Sequence, residues 1–84
     1  MSYVFLTSRS ITYAQRMQRA LLKYGVSARI ERPDMKLTQK SCAYAVVVSE
    51  AYLAEAIDIL KKNGLRPVSA FVSNGIVGFR EISI

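Results

Sequence analysis

"LLKYGVSARI" (21–30) and "ILKKNGLRPVSAF" (59–71) run through the same order of chemistry twice. Each begins as the apolar end of a helix, passes through lysine and glycine, and leaves as a strand-like run. A glycine just after a basic final turn reads as the residue that closes a helix in the left-handed conformation, which residues with a Cβ adopt only at a cost. Gly25 and Gly64 therefore mark two helix ends. The segments around them mark two strand-helix-strand units of about 30 residues each.

Upstream of Gly25, Ile11, Ala14, Met17 and Leu21 recur at helical spacing, while Arg16, Arg19 and Lys23 fall elsewhere, and Ser10 is placed to cap the first turn. Upstream of Gly64, Leu53, Ala56, Ile57 and Leu60 form a second apolar stripe. Ser49 is placed as its cap, Glu50 falls in the first turn, and Lys61 and Lys62 fall in the last, as the helix dipole favours.

The strands are read from alternation and from breakers. "YVFLT" (3–7) is rich in strand formers, and "VSARIER" (26–32) puts Val26, Ala28 and Ile30 on one face and Ser27, Arg29 and Glu31 on the other. Pro33 ends that run, "PDMKLTQKS" (33–41) reads as a polar connection, and "CAYAVVV" (42–48) is the most apolar strand, expected inside the sheet. "PVSAFVS", then Asn74-Gly75, then "IVGFREI" is a hairpin signal, because both turn residues tolerate positive φ. The expected fold is α+β: a ferredoxin-like βαββαβ antiparallel sheet with two helices on one face, plus a C-terminal strand at 76–82 paired with the fourth. All 84 residues form one domain, with a core at about 3–73 and a hairpin extension at about 74–84. A strand left at the sheet edge also invites a homodimer through edge pairing.

Composition narrows the chemistry. There is no histidine and one cysteine, Cys42, so neither an internal disulfide nor a zinc ligand set is expected, and no cofactor is called for. A free thiol, no secretory pattern in "MSYVFLTSRS" and no membrane-length apolar run together lead to a cytoplasmic expectation. The four glycines are dispersed, so there is no phosphate-cradling loop. Glu55 and Asp58, three apart on the second helix, read as solvated surface rather than as an acid–base pair.

The net charge of +6 is lopsided. Residues 1–40 carry eight Lys/Arg against Glu31 and Asp34, whereas residues 41–84 carry four of each sign. Such an excess is either a solvated basic face or an attractor for anions.

Cys42 stands where the polar connection meets the apolar strand. Free cysteine often packs as a small hydrophobe, and that reading stands beside a reactive one. Lys36 and Lys40 precede it within six residues and Ser41 adjoins it, which are ingredients of an electropositive thiol with more thiolate than a free group of pKa about 8.5. With no histidine and no second cysteine, a Cys-His nucleophile or a resolving pair is excluded within the chain. A lone thiolate can still accept a sulfur or selenium atom and surrender it to a partner.

"SITYAQRMQRALLKYGVSARIERP" (10–33), "LTQKSCAYAVVV" (37–48) and "AIDILKKNGLRPVSAF" (56–71) resemble a family of small bacterial selenium/sulfur (Se/S) carrier-like proteins. The shared pattern is a Ser/Thr-led first helix, a basic strand ending in proline, a Gly-Cys-x-Tyr-like junction and a second helix ending in Asn-Gly. It covers roughly residues 3–72, most sharply at Cys42 and Tyr44. The resemblance implies a carrier or accessory protein, not a self-sufficient enzyme, that holds a chalcogen on Cys42 between donor and acceptor proteins. Lys36 and Lys40 would then tune the thiolate, and Ser41 and Tyr44 would border it. Ser41 departs from the family's glycine, and a positive φ there would strain a serine.

Two alternatives remain open from sequence. One is single-stranded nucleic-acid binding, with rings from Tyr3, Phe5 and Tyr44 and charge from Arg29, Arg32, Lys36 and Lys40, although the closely spaced aromatic pattern of RNA-binding sheets is missing. The other is a dimeric ligand-sensing or interaction domain in which the cysteine is merely structural.

Overall fold

The computed structural model describes residues 2–32, 44–73 and 79–82. Its elements are β1 (Tyr3–Ser8), α1 (Ile11–Lys23), β2 (Arg29–Glu31), β3 (Tyr44–Ser49), α2 (Leu53–Lys62), β4 (Ala70–Ser73) and β5 (Phe79–Ile82), with a 3-10 turn (Glu50–Tyr52) leading into α2. The five strands form one antiparallel sheet in the order β2-β3-β1-β4-β5. The architecture is α+β, and the expected fifth strand pairs with the fourth.

The two glycine-closed helix ends are the same structure. Gly25 has φ +83° and Gly64 has φ +69°. At the first, the N–H of Val26 donates to the Leu21 carbonyl at 2.9 Å and that of Gly25 to Leu22 at 3.1 Å. At the second, Leu65 donates to Leu60 at 2.8 Å and Gly64 to Lys61 at 3.1 Å. This pair of bonds is the Schellman closure, and its apolar partners, Val26 with Leu21 and Leu65 with Leu60, all lie in the core. The repeated sequence theme is therefore a repeated way of satisfying the last carbonyls while steering the chain back onto the sheet.

Helix starts differ from one another. Ser10 adopts extended backbone angles and its side chain accepts the Tyr13 N–H at 3.0 Å, a cap worth about 1 kcal/mol. Ser49 caps as well, but its side chain accepts from Ala51 at 3.4 Å, and residues from Glu50 onward form the 3-10 turn before the α-helix begins. Strand β2 is shorter than the alternation at 26–32 suggests, because the Val26 N–H is already bound in the helix closure. The Gln18 amide of α1 holds the connecting segment by donating to the Ala28 carbonyl at 3.1 Å.

Strand pairing sorts the side chains into two faces. Val4 and Leu6 of β1 lie opposite Val48 and Val46 of β3 and opposite Val72 and Ala70 of β4. These six residues join Ala14, Met17 and Leu21 of α1 and Ala56 and Leu60 of α2 in one buried cluster. Of the stripe expected on α1, Ile11 is 38% exposed, since the first helical residue overhangs the cluster. The opposite face carries Tyr3, Phe5, Val47 and Phe71. Among the described residues, no helix is long and apolar enough to cross a membrane.

Candidate functional site

Of the residues singled out from sequence, Cys42, Lys36, Lys40 and Ser41 lie outside the described residues. Tyr44 is described, and it marks the sheet end at which β3 begins. It pairs with Ser8, the last residue of β1, so this end is also where β1 hands over to α1. Tyr44 is half-buried and packs against the core cluster on the helix side of the sheet. The Arg32 guanidinium lies 5.4 Å from its ring centroid and donates to its hydroxyl at 3.3 Å. That is a cation–π contact with the hydroxyl as a second anchor.

The turn from β1 into α1 is tightly made. Ser8 is 1% exposed, and its hydroxyl donates to the Ser10 carbonyl at 2.9 Å and accepts the Ser10 N–H at 3.3 Å. Beside it, Ser8, Arg9, Tyr13, Arg66 and Val68 line a groove of about 250 Å³. The Arg66 backbone N–H donates to the Tyr13 hydroxyl at 2.6 Å, which ties the segment after α2 to the first turn of α1. No acidic residue occupies that turn.

Three exposed arginines, Arg9, Arg32 and Arg66, thus surround a sheet end that also receives the positive pole of α1. Nearby Glu31 is engaged by Arg29. Such a field favours an anion, whether thiolate, carboxylate or phosphate. In the sequence, Arg9 and Arg66 register only within the total charge. Arg9 was findable from its place beside the Ser10 cap, whereas Arg66 reaches this end through a contact 53 residues apart in the chain.

The register corrects the grouping of aromatic residues expected for nucleic acid. Tyr3 and Phe5 point away from the helices, whereas Tyr44 shares the helix face with Val46 and Val48, so the three rings cannot form one stacking platform. Arg29 lies over the Tyr3 ring at 5.3 Å but also bridges to Glu31. Among the described residues, the register puts Glu31 and Glu81 against Arg29 on the face of Phe5 and Phe71, a poor balance for phosphate.

Among the described residues, no group of three or more His, Cys, Asp or Glu is placed to hold a metal ion. Comparison with protein-family models, with curated proteins and with solved structures finds no match to this chain.

Proposed function

We propose that this chain is a carrier or accessory protein of sulfur or selenium handling, with Cys42 as the chalcogen-accepting thiol. We read its architecture as ferredoxin-like: the first four strands and two helices follow βαββαβ along the chain, and β5 extends the sheet beyond β4. Donor and acceptor are other proteins, since the chain has no second thiol and no histidine to complete a catalytic pair.

The step is an exchange without net oxidation. The Cys42 thiolate attacks the terminal sulfur of a donor persulfide, a new S–S bond forms at Cys42, and the donor's S–S bond breaks. The electron pair leaves on the donor thiolate. An acceptor nucleophile then takes the outer sulfur and regenerates the Cys42 thiolate. Selenium takes the same path as a selenosulfide.

The observation supporting this reading is the concentration of positive charge around Tyr44, which comes two residues after Cys42 in the chain. A thiolate at this sheet end is favoured over a thiol by Arg9, Arg32 and the start of α1. The reading extends the likeness of residues 10–33, 37–48 and 56–71 to Se/S carrier-like proteins.

Incubation with a cysteine desulfurase and cysteine is expected to add one sulfur mass, removable by a reducing thiol. Cys42→Ala is expected to gain none. Intact-mass spectrometry of the two proteins decides the matter, and equal mass gain, or none in either, removes the carrier reading.

A further inference from the structure

We infer that the surface at the end of α2 is a docking groove for an extended acidic and aliphatic segment of a partner protein. A groove of about 370 Å³ opens where α2 closes, floored by Ile57, Leu60, Leu65 and Pro67 and rimmed by Lys61 and Arg66. Its volume falls within the roughly 300–1,000 Å³ of ligand-binding clefts. The Schellman closure shapes it, because the left-handed Gly64 turns the chain back and leaves Leu65 and Pro67 beside the last helical turn.

The rim is charged in one sense. Among the described residues, neither Lys61 nor Arg66 has an acidic partner, in contrast to neighbouring Lys62, which reaches Asp58 at 3.0 Å. Two uncompensated cations over an aliphatic floor complement a ligand that joins a carboxylate to a branched aliphatic side chain. Arg66 also lines the groove that holds Ser8, Arg9, Tyr13 and Val68, with Val68 38% exposed. Two depressions sharing one arginine fit an extended peptide better than a compact small molecule, which would fill only one. Nucleic acid fits less well, since among the described residues the main floor offers no aromatic ring on which a base could stack. This inference does not depend on Cys42.

The test uses a fluorescent peptide of alternating leucine and glutamate, titrated with the full chain at low and moderate salt. Saturable binding is expected, weakened roughly tenfold or more by K61E/R66E. K62E, a single charge reversal off the groove, should leave affinity within about twofold. A peptide with serine in place of leucine should bind far more weakly. Failure of the leucine peptide to bind overturns the inference, as does equal binding of the serine peptide or indifference to K61E/R66E. A labelled single-stranded oligonucleotide that binds more tightly and is lost in the same variant would also overturn it. Far-ultraviolet circular dichroism of each variant establishes that these exposed changes leave the fold intact.

Discussion

Leu6→Ala is expected to destabilise the protein by about 2–5 kcal/mol, against less than about 1 kcal/mol for Leu22→Ala. The chemical change is the same at both positions, and the surroundings decide the difference. Leu6 is 0% exposed on β1, the middle strand, with Val46 and Ala70 as its cross-strand neighbours and the helix residues above it. Truncation there removes transfer free energy and leaves a cavity that two paired strands prevent from collapsing. Leu22 is 51% exposed on α1, and alanine is a somewhat better helix former. A domain of this size has total stability on the order of 4–13 kcal/mol, so Leu6→Ala removes a large share of it. Thermal melts should show a loss of roughly 8 °C or more. Urea midpoints that change equally for the two variants would contradict the assignment of β1 to the centre of the core.

Thr7→Val should cost about 1–3 kcal/mol although the side chain keeps its shape. Thr7 is 0% exposed and its hydroxyl accepts the Ser69 N–H at 3.0 Å. The same oxygen lies 2.7 Å from the Ser69 hydroxyl and 3.2 Å from the Ser69 carbonyl. Main-chain bonds continue the pairing, from Thr7 N–H to Ser69 at 2.9 Å and from Val68 N–H to Thr7 at 3.0 Å. Valine has no acceptor, so the Ser69 N–H and hydroxyl are left without that partner away from water. Thr7→Ser retains the oxygen and should cost less than Thr7→Val in urea unfolding. The reverse order would mean that methyl packing, not the hydrogen-bond network, holds this corner.

These two residues show what was legible in the sequence and what was not. Leu6 belongs to an apolar run rich in strand formers, and that local composition is enough to place it in a strand. The Thr7–Ser69 network joins residues 62 apart in the chain and exists only once β1 and β4 are aligned. Helix ends were readable for a physical reason: Gly25 and Gly64 each occupy a conformation that disfavours a Cβ, and each lies beside the apolar pair that the closure buries, Leu21 with Val26 and Leu60 with Leu65. The Ser10 cap was readable because a serine oxygen and the N–H three residues later satisfy each other locally.

Faces of strands were harder. Tyr44 resembles Tyr3 and Phe5 in composition, yet its pairing with Ser8 puts it on the helix side, where Arg32 covers its ring. A single shift in register would have reversed that outcome, and nothing local in "CAYAVVV" specifies it. The candidate site was half legible for the same reason. Its basic character is visible in the charge of residues 1–40, but the meeting of Arg9, Arg32 and Arg66 at one sheet end depends on contacts distant in sequence.

The central claim is that Cys42 presents a reactive thiolate to its partners, and its labelling rate addresses this most directly. Native protein and free cysteine are treated with iodoacetamide at neutral pH, and the modified fraction is tracked by mass. Cys42 is expected to react at least as fast as free cysteine, and more slowly as added salt screens positive charge. A thiol that stays unmodified until denaturant unfolds the chain would contradict it.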